Sequence, residues 1–203
     1  MNKSVIIYDI EIINPIQPKL KDGLDAYIVY CQSWTDFANM GIACIGAFDY
    51  QTNMYHVFLK DNLDQFSKLI NDREYIVGYN NLAFDDKVLL ANNIGCSAKP
   101  WDLLAAIWHS LNEQGLPKKN TGLDPISKAN LGALGGKSGD GLEAAKDWQR
   151  GKTGKVIDYC LRDVWLTKSL LDMCINEGTI VDANGNILHI EPPFAAPPDQ
   201  LPF

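Results

Sequence analysis

Apolar positions along this chain follow two rhythms: short continuous runs near the start and helical spacing over the second half. Residues 4–9 (SVIIYD) are apolar and β-branched until the first acid, which predicts a buried strand. A polar, proline-bearing stretch follows. Residues 41–48 (GIACIGAF) and 54–59 (MYHVFL) predict two more strands, joined by a turn around 49–53, so the chain opens with an antiparallel meander. Leu63, Phe66, Leu69 and Ile70 then take helical spacing, and 75–79 (YIVGY) is a short apolar strand. Beyond it the pattern is mainly helical, over 86–92, 102–111, 125–131, 142–150 and 155–175. Residues 132–141 (GALGGKSGDG) hold five glycines in ten and predict a loop without regular structure. Near the end, Asn184-Gly185 lies between two apolar runs in 179–190, a hairpin signal, and a proline-rich extended tail follows. The expected fold is α/β, a mixed β-sheet flanked by helices with a C-terminal β-hairpin. Residues 1–177 form one domain, and the hairpin and tail, 178–203, attach to it.

Composition narrows the chemistry. With 203 residues and 46% hydrophobic content the chain can close one substantial core. No apolar run approaches the roughly 18 to 20 residues that span a bilayer, and the opening MNKSVIIYDIEI turns acidic too soon for a signal peptide, so the expected location is the cytoplasm without membrane contact. The five cysteines are scattered without a C-x-x-C pair, and the three histidines stand far apart, so any metal is expected to have oxygen ligands. A net charge of -7 argues against non-specific coating of nucleic acid. That charge is uneven. Residues 117–155 carry eight cations against four acids, while the rest of the chain carries ten against 21. A basic segment on an acidic body suits an active site whose carboxylates need a cationic rim to admit phosphate; it equally suits a solvated helical face.

Three carboxylate-bearing segments are candidates for chemistry. Asp9 and Glu11 lie two apart on a strand, so both point to one face, where like charges need a compensating cation. Asp85 or Asp86 opens a helix after the strand and loop GYNNLAF, a place that suits an acid in any protein. Tyr159 and Asp163 are four apart on a helix and share a face. Taken singly each has a bland reading: a strand running into solvent, a helix N-terminal acid, a surface pair or packed tyrosine. Roughly one D-x-E triplet is expected by chance in a chain of this length.

In their order and separation the three segments resemble the motifs of the DEDD exonuclease superfamily, in its tyrosine subclass. Asp9 and Glu11 match its D-x-E; Asn80, Phe84 and Asp85 match N-x-x-x-F-D; Tyr159 and Asp163 match Y-x-x-x-D. The histidine subclass would place His where this chain has Asp158. The resemblance covers about residues 4–173, and the stretch with Lys137-Ser138-Gly139-Asp140-Gly141, Trp148 and YCLRDVWLTKSL looks like nuclease domains of phage and bacterial proteins. Two departures stand out: Ile12 follows Glu11 where many members have Thr or Ser, and a long insertion separates this motif from the next strand.

The resemblance implies a ribonuclease-H-like fold and a 3′-to-5′ exonuclease that releases nucleoside monophosphates from single-stranded 3′ ends, DNA before RNA. It implies that Asp9, Glu11, Asp85 and Asp163 bind two divalent cations, Mg²⁺ or Mn²⁺, with Tyr159 orienting the attacking water. Asn80 is a candidate to bond the terminal sugar or phosphate, and Phe84 or Leu82 to wedge against the last base; Phe84 equally suits a place in the core. Lys146, Arg150, Lys152 and Lys155 are candidates to track the backbone. The alternatives are an endonuclease or resolvase on the same fold, and a non-catalytic nucleic-acid-binding module. A replication or repair partner on the proline-rich tail is a further expectation.

Overall fold

In the computed structural model, which describes residues 4–18 and 24–195, the first strand outlasts its apolar run. This strand, β1 (Val5–Ile12), continues through Asp9 and Glu11 because both of its faces are covered. Ile6, Tyr8, Ile10 and Ile12 enter one core cluster, Val5 and Ile7 another, and alternation carries Asp9 and Glu11 onto the second face. Glu11 is buried, which removes the reading of a strand running into solvent.

The meander forms as its pattern predicts. β2 (Ile42–Asp49) runs antiparallel to β1 with Asp9 opposite Gly46, and β3 (Met54–Phe58) folds back antiparallel onto β2. A one-turn helix, α1 (Phe37–Met40), precedes β2 within the polar stretch. The helix α2 (Leu63–Asn71) crosses over, and β4 (Tyr75–Gly78) joins β1 in parallel. After α3 (Asp85–Ala91) a fifth strand, β5 (Lys99–Asp102), lies parallel to β4. Its sequence, KPWD, holds a proline and no alternation. It is an edge strand created by its pairing, which explains why no pattern announces it. The sheet order is β3-β2-β1-β4-β5.

The second half is helical: α4 (Leu103–Glu113), α5 (Leu123–Leu131), α6 (Gly141–Gln149) and α7 (Thr153–Glu177). On one face of the sheet Phe66 and Ile70 of α2 meet Val88 and Leu89 of α3. On the other, Val164 and Leu171 of α7 cover Val5, Ile7 and Val77. Gly46 permits that closeness: a Cβ there would stand 3.0 Å from the Cys160 thiol. Residues 132–141 are not wholly irregular, since Gly132–Gly135 forms a single 3₁₀ turn. Gly135 lies so close to the Ser127 carbonyl that a Cβ would meet it at 2.2 Å.

A hairpin of β6 (Thr179–Val181) and β7 (Ile187–His189) ends the described chain, with Ile180 and Leu188 packed among α4, α5 and α7. Its loop is longer than a two-residue turn. The Asp182 carboxylate accepts the N–H groups of Asn184 and Asn186, both at 2.8 Å, and Gly185 takes φ +84°. Phe194 lies against Tyr75 and Trp101. Residues 196–203, and with them the expected docking of a partner on the tail, lie outside the described residues. Among the described residues no helix is long and apolar enough to cross a membrane.

Candidate active site

The C-terminal ends of β1 and β4 face the same crevice, where the chain leaves β1 toward β2 on one side and leaves β4 toward β5 on the other. In α/β sheets such a switch point is where ligands bind. Asp9 and Glu11 project there from β1, and α7 descends over them. Cys160 donates its thiol hydrogen to the Asp9 carbonyl at 3.3 Å and accepts the Gly46 N–H at 3.1 Å. Tyr159 and Asp163, on neighbouring turns of α7, face the crevice with it. Asp85 completes the set, accepting the N–H of Ile10 at 3.1 Å and so tying the start of α3 to β1. A cleft of about 300 Å³ is lined by Asp9, Glu11, Asp85, Tyr159 and Asp163, together with Asn80 and Phe84. The choice of Asp85 over Asp86, which in the sequence rests on the resemblance, has a physical counterpart in direction. Asp86 turns away and accepts the Tyr8 hydroxyl and, at 3.4 Å, the Asn81 amide.

The turn between β4 and α3 is held in a strained shape. Asn80 takes φ +70°, and Gly78 leaves no room for a Cβ, which would stand 2.7 Å from that of Asn81. Asp102 fixes it. This carboxylate caps α4 through Leu104 and Ala105, and it also accepts the N–H groups of Asn80 at 2.9 Å and Leu82 at 3.2 Å. The Asn80 side chain has no hydrogen-bond partner among the described residues and is left to face the cleft.

Gathered carboxylates resist ionisation. Burial, then repulsion from Asp163, pushes Asp9 up to about 7. Burial followed by the charge on Asp9 raises Glu11 and Asp85 well above the usual carboxylate range. Burial also raises Asp163, against the pull of Lys137, whose ammonium lies 2.5 Å from it. For Lys137 itself burial opposes the charge, but Asp163 and the Tyr159 hydroxyl outweigh it and raise its pKa. The Tyr159 phenol is pushed up by burial and then by Asp163, so it stays protonated. Asp9 Oδ2 and Asp163 Oδ1 are buried without a hydrogen-bond partner. Buried, unpartnered carboxylate oxygens are the donors hard divalent cations prefer, and the four acids fit such ions. Ligand atoms of Asp9, Glu11 and Cys160 come within 4.8 Å of one another, but the thiol is engaged with backbone and is the softer donor.

No protein-family model matches the chain, and no curated protein matches it. Among solved structures it is similar to the family B DNA polymerase from the hyperthermophilic archaeon Pyrobaculum calidifontis, with a TM-score of 0.56 and 15% identity. The match covers 84% of this chain and 24% of the polymerase chain. The fold is ribonuclease-H-like. At that identity the likeness speaks for the ribonuclease-H-like fold alone, and this chain spans about a quarter of the polymerase's length.

All seven residues of the three motifs line one cleft. Phe84 also packs edge-on against Trp34 and Phe37, so it is both wall and core. Sequence reasoning gave Lys137 no role of its own and passed over Trp34 and Asp102. Lys137 was hidden in a glycine-rich loop, Trp34 in the insertion, and Asp102 reads as an ordinary helix start. The expected backbone-tracking cations each lie in an ion pair: Lys146 with Glu143, Arg150 with Asp25 and Glu143, and Lys152 and Lys155 with Asp147.

Proposed function

We propose that this chain is a metal-dependent 3′-to-5′ exonuclease that removes nucleoside monophosphates from single-stranded ends. The observation that carries the reading is the convergence of Asp9, Glu11, Asp85 and Asp163, from three separated segments, on one cleft with two unpartnered carboxylate oxygens. A structural role would not concentrate four acids where burial penalises each charge. Two divalent cations, Mg²⁺ or Mn²⁺, held by these four residues would supply Lewis acidity toward water and toward the scissile phosphate. DNA is the first substrate to test, since the neighbour in fold is a DNA polymerase.

The chain's own groups have distinct tasks. Tyr159 stays protonated and directs water by hydrogen bonding; it is no base at neutral pH. Lys137 brings fixed positive charge to the side of Asp163 where a phosphate arrives. Asn80 offers a free amide to the terminal sugar or phosphate, and Phe84 with Trp34 offers an apolar wall to the terminal base.

The test is a 5′-labelled single strand incubated with Mg²⁺, with Mn²⁺ or with chelator, beside Asp9→Ala. A ladder shortening from the 3′ end in metal only, and absent in the variant, is the expected result. Asp163→Ala should abolish hydrolysis, whereas Tyr159→Phe should slow it by about a hundredfold or less. Internal cuts would identify an endonuclease, and intact DNA and RNA with retained binding a non-catalytic module.

A further inference from the structure

The cleft does not end at the carboxylates. It continues into a second, wider arm of about 480 Å³ that shares Asp9, Asn80 and Asp163 with the first and is walled by Trp108, Leu104 and Thr121. Trp108, on α4, keeps 37% of its surface exposed. Its orientation is fixed: the indole N–H donates to Thr121 Oγ1 at 2.9 Å, and the Tyr79 hydroxyl donates to the Thr121 carbonyl. The ring is thus tied to the residue beside Asn80. The Lys118 ammonium lies over it, 5.2 Å from the ring centre.

Charge separates the two arms. Of the eight cations between 117 and 155, Lys128 pairs with Asp124, Lys137 with Asp163, and the four that follow pair with Glu143, Asp147 and Asp25. Among the described residues, no carboxylate lies within ion-pair distance of Lys118 or Lys119, and the Lys118 ammonium lies over the indole face. Unpaired charge of the basic segment therefore stands at the Trp108 mouth in Lys118, with Lys119 next to it in the chain. The opposite mouth, by Trp34 and Leu142, is flanked by cations already committed to acids.

Resting on the reading of this site as one that holds single-stranded ends, we infer that the strand upstream of the scissile bond leaves the site over Trp108. One base stacks on the indole in place of Lys118, and the released ammonium, with Lys119, takes backbone phosphates. Stacking on a rigid aromatic with nearby cations is how sequence-neutral single-strand binding is built.

The experiment uses the full chain, an oligothymidylate of roughly 12 nucleotides and thymidine 5′-(p-nitrophenyl phosphate), which carries no nucleotide or phosphate upstream of the scissile bond. Fluorescence anisotropy in chelator and in Ca²⁺ gives Kd over a salt series, and hydrolysis in Mn²⁺ gives KM and kcat. Trp108→Ala should raise Kd and KM for the oligonucleotide about tenfold more than for the ester, with Trp108→Phe recovering most of the loss. Lys118→Ala with Lys119→Ala should flatten the slope of log K against log salt by about 1.4. Wild-type binding in Trp108→Ala, or equal loss on both substrates, would overturn the inference. Absence of trimming by the wild-type chain would instead remove the exonuclease reading, while the anisotropy series still decides whether a strand lies on Trp108. Absence of oligonucleotide binding would remove both.

Discussion

Asp163 is buried beside other carboxylates, and Lys137 is the neighbour that offsets its charge. Truncating one partner of a buried pair leaves the other uncompensated, so Lys137→Ala should cost about 3 kcal/mol in chelator. Excess Mn²⁺ should return most of that loss, because the ion supplies the missing positive charge. Urea melts with and without metal check this, and an equal loss in both conditions would mean that Lys137 acts only as packing. Asp102 acts through position. Four N–H groups converge on its carboxylate, two from the turn carrying Asn80 and two from the start of α4. Asp102→Ala should destabilise by about 2 to 4 kcal/mol, the sum of a lost cap and orphaned donors. It should also raise KM more than it lowers kcat, since Asn80 is released from its left-handed conformation.

Among the elements, the glycine-rich loop and α7 work as a unit. Arg162, next to Asp163 on α7, donates to the carbonyls of Leu134 and Gly136, and thereby holds the loop that delivers Lys137. Gly135 lets the loop reach α5, where any side chain would strike the Ser127 backbone. Gly135→Ala should cost about 1 to 3 kcal/mol through forced displacement and reduce turnover more than the stability loss alone accounts for. Comparing kcat with the urea midpoint for this variant checks the coupling; parallel, small changes would sever it. The strongly patterned elements were legible beforehand: β1 from its β-branched run, α7 from Val156, Cys160, Val164 and Thr167, the hairpin from Asn184-Gly185. β5 and α1 were not, because a four-residue edge strand with proline and a single helical turn owe their shape to neighbours.

For the molecule as a whole, Asp49 and Arg73 join the end of β2 to the approach of β4 across β1. The guanidinium grips the buried carboxylate through two hydrogen bonds, of 2.8 and 2.9 Å. Burial alone would raise the Asp49 pKa, but Arg73, the Thr52 hydroxyl and the Gln51 N–H overcome it and hold the group at about 2. The unfolded chain takes up that proton near 3.9. This contribution to stability is therefore fully present above about pH 4 and is lost as pH falls toward about 2. Urea midpoints between these values should decline in the wild type and decline less in Asp49→Asn; identical slopes would refute the linkage.

Sequence by itself determined the strand and helix rhythm, and it named the four carboxylates, Tyr159, Asn80 and Phe84 through the order of their motifs. Periodicity is a local property, and each motif is contained within a few residues. Tertiary structure alone gave the physical reason for Asp85 over Asp86, since only Asp85 turns into the cleft, and it alone decided that Lys137 meets Asp163 and that Lys146, Arg150, Lys152 and Lys155 pair with acids while Lys118 lies over Trp108. Those outcomes depend on which way a side chain points once the sheet and α7 have closed, and on partners up to 125 residues away in the chain. No spacing in the sequence encodes that geometry.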